Sequence, residues 1–179
     1  MTACLLISGL CKRYGEIVVA DDIALSLDRG QCLGVVGPNG AGKSSLFNLI
    51  TGVAVPDAGS VKLEGEELVG LSSSTRARRG VARAFQIPQP FPHLSAYENA
   101  LAAATFAAGL PQAQAAHVAV DALERTGLAS RMNVPAGRLP LLDRKRLELA
   151  KGLAAQPKLL MLDEIAGGLT EPEVHQLTE

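Results

Sequence analysis

The sequence has almost no net charge, no long apolar run, no internal repeat and no low-complexity linker. Its formal net charge is -1, which speaks against general nucleic-acid binding, because that binding is driven by neutralising phosphates with surplus Lys and Arg. A local basic patch stays compatible with it. No apolar run reaches the roughly 18 residues needed to span a bilayer. LAAATFAAGL (101–110) is too short and too rich in alanine. No direct membrane span is expected, so any role at a membrane needs a partner that crosses it. The N-terminus lacks the basic-then-apolar order of a signal peptide. Cys4, Cys11 and Cys32 are odd in number and lack metal-ligand spacing; they read as reduced thiols of a cytosolic protein. What is present is a globular composition, 47% apolar and 20% charged, in a chain long enough for one domain with a core.

The pattern predicts strands at CLLISGL (4–10), IVVADDIALSL (17–27), VARAF (81–85) and KLLMLD (158–163), with a hairpin strand at GSVKLEGEEL (59–68). QCLGVVG (31–37) reads as a short buried strand of the parallel-sheet kind. SLFNLITG (45–52) reads as a short helix stopped by Gly52. The texture changes after Gln86. IPQPFPHL (87–94) carries three prolines at alternate positions and is extended. SAYE (95–98) is a capping box in which Ser95 caps and Glu98 reaches back. Helices are expected at about 95–109, 112–127 and 141–155. The order is strands, an all-helical insert, then strand again.

GPNGAGKSS (37–45) fits G-x-x-x-x-G-K-[ST] without a mismatch at Gly37, Gly42, Lys43 and Ser44. Glycines let the backbone of Gly37, Pro38, Asn39, Gly40, Ala41 and Gly42 curl until several N–H groups point at phosphate oxygens. The helix that begins near Lys43 and runs through Ser44 and Ser45 adds its positive N-terminal end. Lys43 reaches the β- and γ-phosphates, and Ser44 offers a hydroxyl to Mg²⁺. LLMLDE (159–164) ends a buried strand with two carboxylates, 120 residues after Lys43. Asp163 suits Mg²⁺ and Glu164 suits the attacking water, the second half of a nucleoside triphosphatase.

With these motifs in place, the chain resembles the ATP-binding subunits of ABC transporters. The resemblance runs in order over nearly all 179 residues. It implies an α/β P-loop ATPase core with an antiparallel β-subdomain (1–86), an inserted helical subdomain (87–157) and an incomplete return to the core (158–179), all one ATP-binding domain. Tyr14 in KRYG looks like the aromatic that stacks on adenine. Gln86 in RAFQ looks like the glutamine that ligates Mg²⁺ and senses the transporter. TGVAVPDAGSVKLEG (51–65) resembles the link to the β-subdomain. PFPHLSAYENAL and DEIAGGLTE look most like importers of branched-chain amino acids and related amides or urea. The implied cofactors are ATP and Mg²⁺, and the implied place is the cytoplasmic face of the inner membrane. The implied partners are transmembrane permease subunits, docking near Phe91, and a second ATP-binding subunit in a head-to-tail pair.

LPLLD (139–143) stands where the family carries LSGGQ, whose helix start faces the γ-phosphate held by the opposite subunit. Pro140 brings no hydroxyl and no N–H, though it suits a helix start. Leu141 and Leu142 hinder close backbone approach. Asp143 favours the helix dipole but is expected to repel a nearby triphosphate. Arg144, Lys145 and Arg146 read as a solvated face, with a swing toward phosphate as the alternative. Arg76, Arg78 and Arg79 also read as a solvated basic face, or as a contact for an acidic partner. These departures suggest a heterodimer in which one composite site hydrolyses ATP and the other turns over slowly. Thr170 stands where the family usually has an aspartate that serves communication across the dimer. His93, His117 and His175 match no catalytic pattern.

In the family a further strand with a switch histidine follows the acidic strand and its helix. The sequence given stops before it, so the resemblance implies a truncation, with negligible ATPase activity for these residues alone. Two other readings stay open: a nucleotide-binding regulator without hydrolysis, and a soluble ABC ATPase acting on ribosomes or DNA. The second usually carries tandem cassettes or long coiled-coil inserts, which this chain lacks.

Overall fold

The computed structural model describes residues 3–38 and 40–178. Two compact units divide the chain, residues 1–76 and 77–179. The first is built on an antiparallel sheet. β1 (Leu5–Tyr14) pairs with β2 (Ile17–Leu27) on one side and β3 (Ala58–Leu63) on the other, and β4 (Glu66–Glu67) closes the edge. The register sets Leu5 opposite Leu63 and Ile7 opposite Val61. Alternation along β1 sends Leu5, Ile7 and Leu10 inward and leaves Leu6 and Ser8 outside, as a half-buried strand requires. Helix α1 (Lys43–Thr51) buries Leu46, Leu49 and Ile50.

Gly52 ends α1 in the left-handed region at φ 77°. Arg76 completes that end. Its Nη1 donates to Leu49 O at 2.7 Å and Ile50 O at 2.9 Å, and its Nε donates to Leu71 O at 3.1 Å. Arg76 is buried, which corrects its reading as part of a solvated basic face. The last carbonyls of a helix have no intrahelical donor, and a guanidinium fork satisfies two at once.

QCLGVVG is the other correction. Residues 31–38 form no strand, and Leu33, Val35 and Val36 are exposed, Val36 at 93%. An apolar strand of the parallel type needs hydrogen-bonded neighbours. No strand among the described residues pairs with it.

The second unit joins a short parallel pair, β5 (Val81–Ala84) and β6 (Leu159–Leu162), to three helices. A six-residue helix, α2 (Ser73–Arg78), runs across the division between the units. The three helices are α3 (Ala96–Phe106), α4 (Gln112–Arg125) and α5 (Leu141–Ala154). Ala96, Ala100 and Ala104 of α3, Ala115 and Ala119 of α4, and Ala150 and Ala154 of α5 meet in one buried cluster. Small residues at helical spacing let the axes approach closely. The capping box is present at the start of α3: Ser95 Oγ accepts from Glu98 N, and Glu98 accepts from Ser95 N. Asn99 is buried and holds the proline-rich turn, accepting from Phe91 N at 2.8 Å and donating to Phe91 O and Ser95 O. A short helix, α6 (Glu171–Thr178), follows β6.

Candidate functional site

The glycine-rich loop belongs to the first unit. The Ala41 N–H donates to Pro38 O at 3.2 Å and closes a turn, and Leu46 N donates to Gly42 O at 2.8 Å, opening α1. Gly42 is the N-cap at φ 87°. A Cβ there would lie 2.7 Å from Val19 O of β2, so only glycine lets the loop pass this close to the strand. Lys43 Nζ folds back and donates to Gly37 O at 2.7 Å and Pro38 O at 3.0 Å. The start of α1 has no side-chain cap and no acidic residue in its first turn. Its leading amides and positive dipole end therefore suit an anion. Ser44 is exposed and Ser45 half-buried. Asn39 lies outside the described residues. Tyr14, at the end of β1, is 54% exposed and has Lys12 Nζ 5.1 Å from its ring centre.

The acidic strand end belongs to the second unit. Asp163 N donates to Ala84 O at 3.1 Å, extending the parallel ladder past β6. The Asp163 carboxylate is buried and ion-paired with Arg83 Nη2 at 2.5 Å. Arg83 also lies 4.8 Å from the Phe85 ring centre. Glu164 is exposed and sits at φ 45°, a region that non-glycine residues seldom occupy and that recurs at functional sites. Gln86 Nε2 donates to Glu164 Oε2 at 2.8 Å. The structure thus joins Gln86 to Glu164 directly, across 78 residues of sequence.

An ABC transporter family model matches residues 20–167. The chain belongs to the ABC transporter family. The branched-chain amino acid transport ATP-binding protein BraF of Pseudomonas aeruginosa is 36% identical, over 96% of this chain and 72% of its own. LivG of Escherichia coli, another high-affinity branched-chain amino acid transport ATP-binding protein, is 35% identical over 98% and 74%. The solved structure of a nucleotide-free ATP-binding cassette from an ABC transporter superposes with a TM-score of 0.83 at 26% identity, covering 98% of this chain and 74% of that one. This protein carries the ATP-binding domain of an ABC transporter, a nucleotide-binding ATPase. No helix among the described residues is long and apolar enough to cross a membrane.

The signature position of this ABC ATPase differs from the sequence reading. Pro140 is the N-cap of α5, without a side-chain cap. Leu141 is 40% exposed and Leu142 is buried. Asp143 is buried, and its carboxylate meets Arg131 Nη1 at 3.0 Å and Arg146 Nη1 at 3.5 Å. Two arginines neutralise the charge that was expected to repel a triphosphate. Nor do Lys145 and Arg146 form a solvated face. Lys145 is 1% exposed and donates to Gln86 O at 3.0 Å. Burial lowers its pKa from the ordinary lysine value. Arg146 turns to Asp143 and to Gln176 O. Thr170 N and Oγ1 both donate to Glu173 Oε2, at 2.8 and 2.7 Å, which fastens the start of α6. Arg83, Glu148 and Asn99 escaped the sequence reading. The signal available was a polar residue interrupting an inward-facing stripe.

Proposed function

We propose that this subunit drives uptake of branched-chain amino acids or close relatives from the cytoplasmic face of the inner membrane. The observation that carries it is the curled loop over an uncapped helix start, with Lys43 drawn across Gly37 and Pro38. It stands in a chain aligned with most of BraF and LivG.

On this reading Tyr14 stacks on adenine. The backbone from Gly37 through Pro38, Asn39, Gly40 and Ala41 to Gly42, with Ser45, cradles phosphate oxygens. Lys43 neutralises the β- and γ-phosphates. Ser44, Asp163 and Gln86 are assigned to Mg²⁺, and a hydroxyl, a carboxylate and an amide oxygen are the hard donors that ion takes. Bound Mg²⁺ supplies charge neutralisation and a fixed substrate geometry. Arg83 holds the Asp163 carboxylate in one orientation. Gln86 does the same for Glu164, which takes the proton of the attacking water.

The start of α5 supports a further element of the proposal. A head-to-tail pair with a second, different ATP-binding subunit would place LPLLD at the partner's nucleotide. Pro140 has no hydroxyl to offer there and Leu141 projects a side chain, so that site turns over slowly. The test is Glu164→Gln in the assembled transporter, with ATP turnover and leucine uptake measured together. Losing a general base lowers turnover by about 10²-fold or more. Unchanged turnover removes Glu164 as the base. Turnover that responds to none of leucine, isoleucine and valine removes the solute assignment.

A further inference from the structure

Gln86 follows β5 in a stretch, 86–90, that is neither helix nor strand. The side chains that hold its backbone come from α5. Lys145 Nζ donates to Gln86 O at 3.0 Å. Glu148 Oε1 accepts from Gln89 N at 2.8 Å. Lys151 Nζ donates to Gln89 O at 3.1 Å and to Glu148 Oε1 at 2.7 Å. Lys145 and Glu148 are each 1% exposed. Burying two charged side chains costs free energy unless each is well partnered, and apolar residues would serve helix packing as well. These two charges face the one irregular segment that carries Gln86, whose amide in turn holds Glu164.

We infer that Lys145, Glu148 and Lys151 form a rail that fixes Gln86, and through it Glu164, so that α5 positions the catalytic carboxylate. The inference rests on the reading of Glu164 as the base. Two hydrogen bonds make the path, Lys145 to the Gln86 main chain and the Gln86 side chain to Glu164, and the covalent frame of Gln86 joins them. The same helix begins at LPLLD, so a shift of its start moves the carboxylate. All three rail residues are positioning residues, since none touches the reacting atoms.

The experiment uses the assembled transporter with Lys145→Met, Lys145→Arg, Lys151→Ala and Gln86→Ala. Two readouts are taken: steady-state ATP kinetics, and hydrogen exchange at the Gln89 amide without nucleotide. Lys145→Met should lower kcat about tenfold while KM for ATP stays within about twofold, the pattern of a lost transition-state interaction. The Gln89 amide should exchange about tenfold faster as its segment loosens. Lys145→Arg should restore most of both. Combining Lys145→Met with Gln86→Ala should cost no more than Gln86→Ala alone, because the two act in series. If Lys145→Met impairs folding, the more exposed Lys151→Ala should show the same paired changes at about threefold. Additive losses in the double variant, or unchanged exchange, overturn the rail. Should Glu164→Gln leave turnover intact, the base reading fails, and the Gln89 amide alone then decides whether the rail exists. If Glu164→Gln abolishes turnover while Lys145→Met changes neither readout, the rail fails and the base stands.

Discussion

Replacing Arg76 by methionine keeps a long side chain in place but removes every donor. Leu49 O, Ile50 O and Leu71 O then lose the guanidinium. The first two belong to the last turn of α1, where no backbone N–H can replace it. A buried acceptor left without a donor costs about 1–3 kcal/mol. Relief from burying the cation offsets part of that sum. The net expectation is about 3 kcal/mol of lost stability in the first unit, at the upper end of ordinary single substitutions. With a urea m-value of about 1.5 kcal/mol/M, the unfolding midpoint falls by about 2 M. The assay is urea unfolding followed by circular dichroism and by tyrosine fluorescence in a Tyr97→Phe background, which leaves Tyr14 as the one tyrosine. Arg76→Lys should recover only part of the loss, since one ammonium can take the place of Nη1 at Leu49 O and Ile50 O but leaves Leu71 O without Nε. A loss below about 1 kcal/mol would mean that water replaces the guanidinium, and the capping role would be wrong.

Lys43→Ala should weaken ATP binding about tenfold or more by titration calorimetry, since it removes the cation at the loop and leaves the Gly42 turn intact. Pro140→Ser should stabilise α5 by about 1 kcal/mol in thermal melts, because a serine hydroxyl can accept from the first-turn amides that proline leaves uncapped. On the paired-subunit reading, the same change raises total ATP turnover. The backbone and hydroxyl of Ser95 hydrogen-bond the Glu98 carboxylate and hold its pKa below the ordinary glutamate value of 4.5. The unfolded chain therefore protonates first on acidification. The contribution is complete well above 4.5 and is lost as pH falls through the folded value. Glu98→Gln should flatten that acid-side decline in a melting series across pH.

Local chemistry was legible in the sequence. Only glycine adopts the left-handed turns at Gly42 and Gly52, a Ser-x-x-Glu box writes its own cap, and four-residue alanine spacing draws the face of α3. Each depends on neighbours a few positions away, so the loop, the helices and the acidic strand end could be placed from residue order. The burial of charged residues was not legible. Arg76, Lys145 and Asp143 have the same composition and spacing as residues of a solvated face. Their burial follows from which carbonyl or arginine the fold brings near, such as Leu49 O for Arg76 and Arg131 for Asp143. The apolar run at 31–37 makes the converse point, since strand formation needs a partner and side-chain type alone cannot supply one. Sequence alone thus determined the glycine-rich loop and the cap of α3, which are carried by contiguous backbone. Tertiary structure decided which charges are buried and what each one holds, because desolvation and pairing depend on residues far apart in the chain.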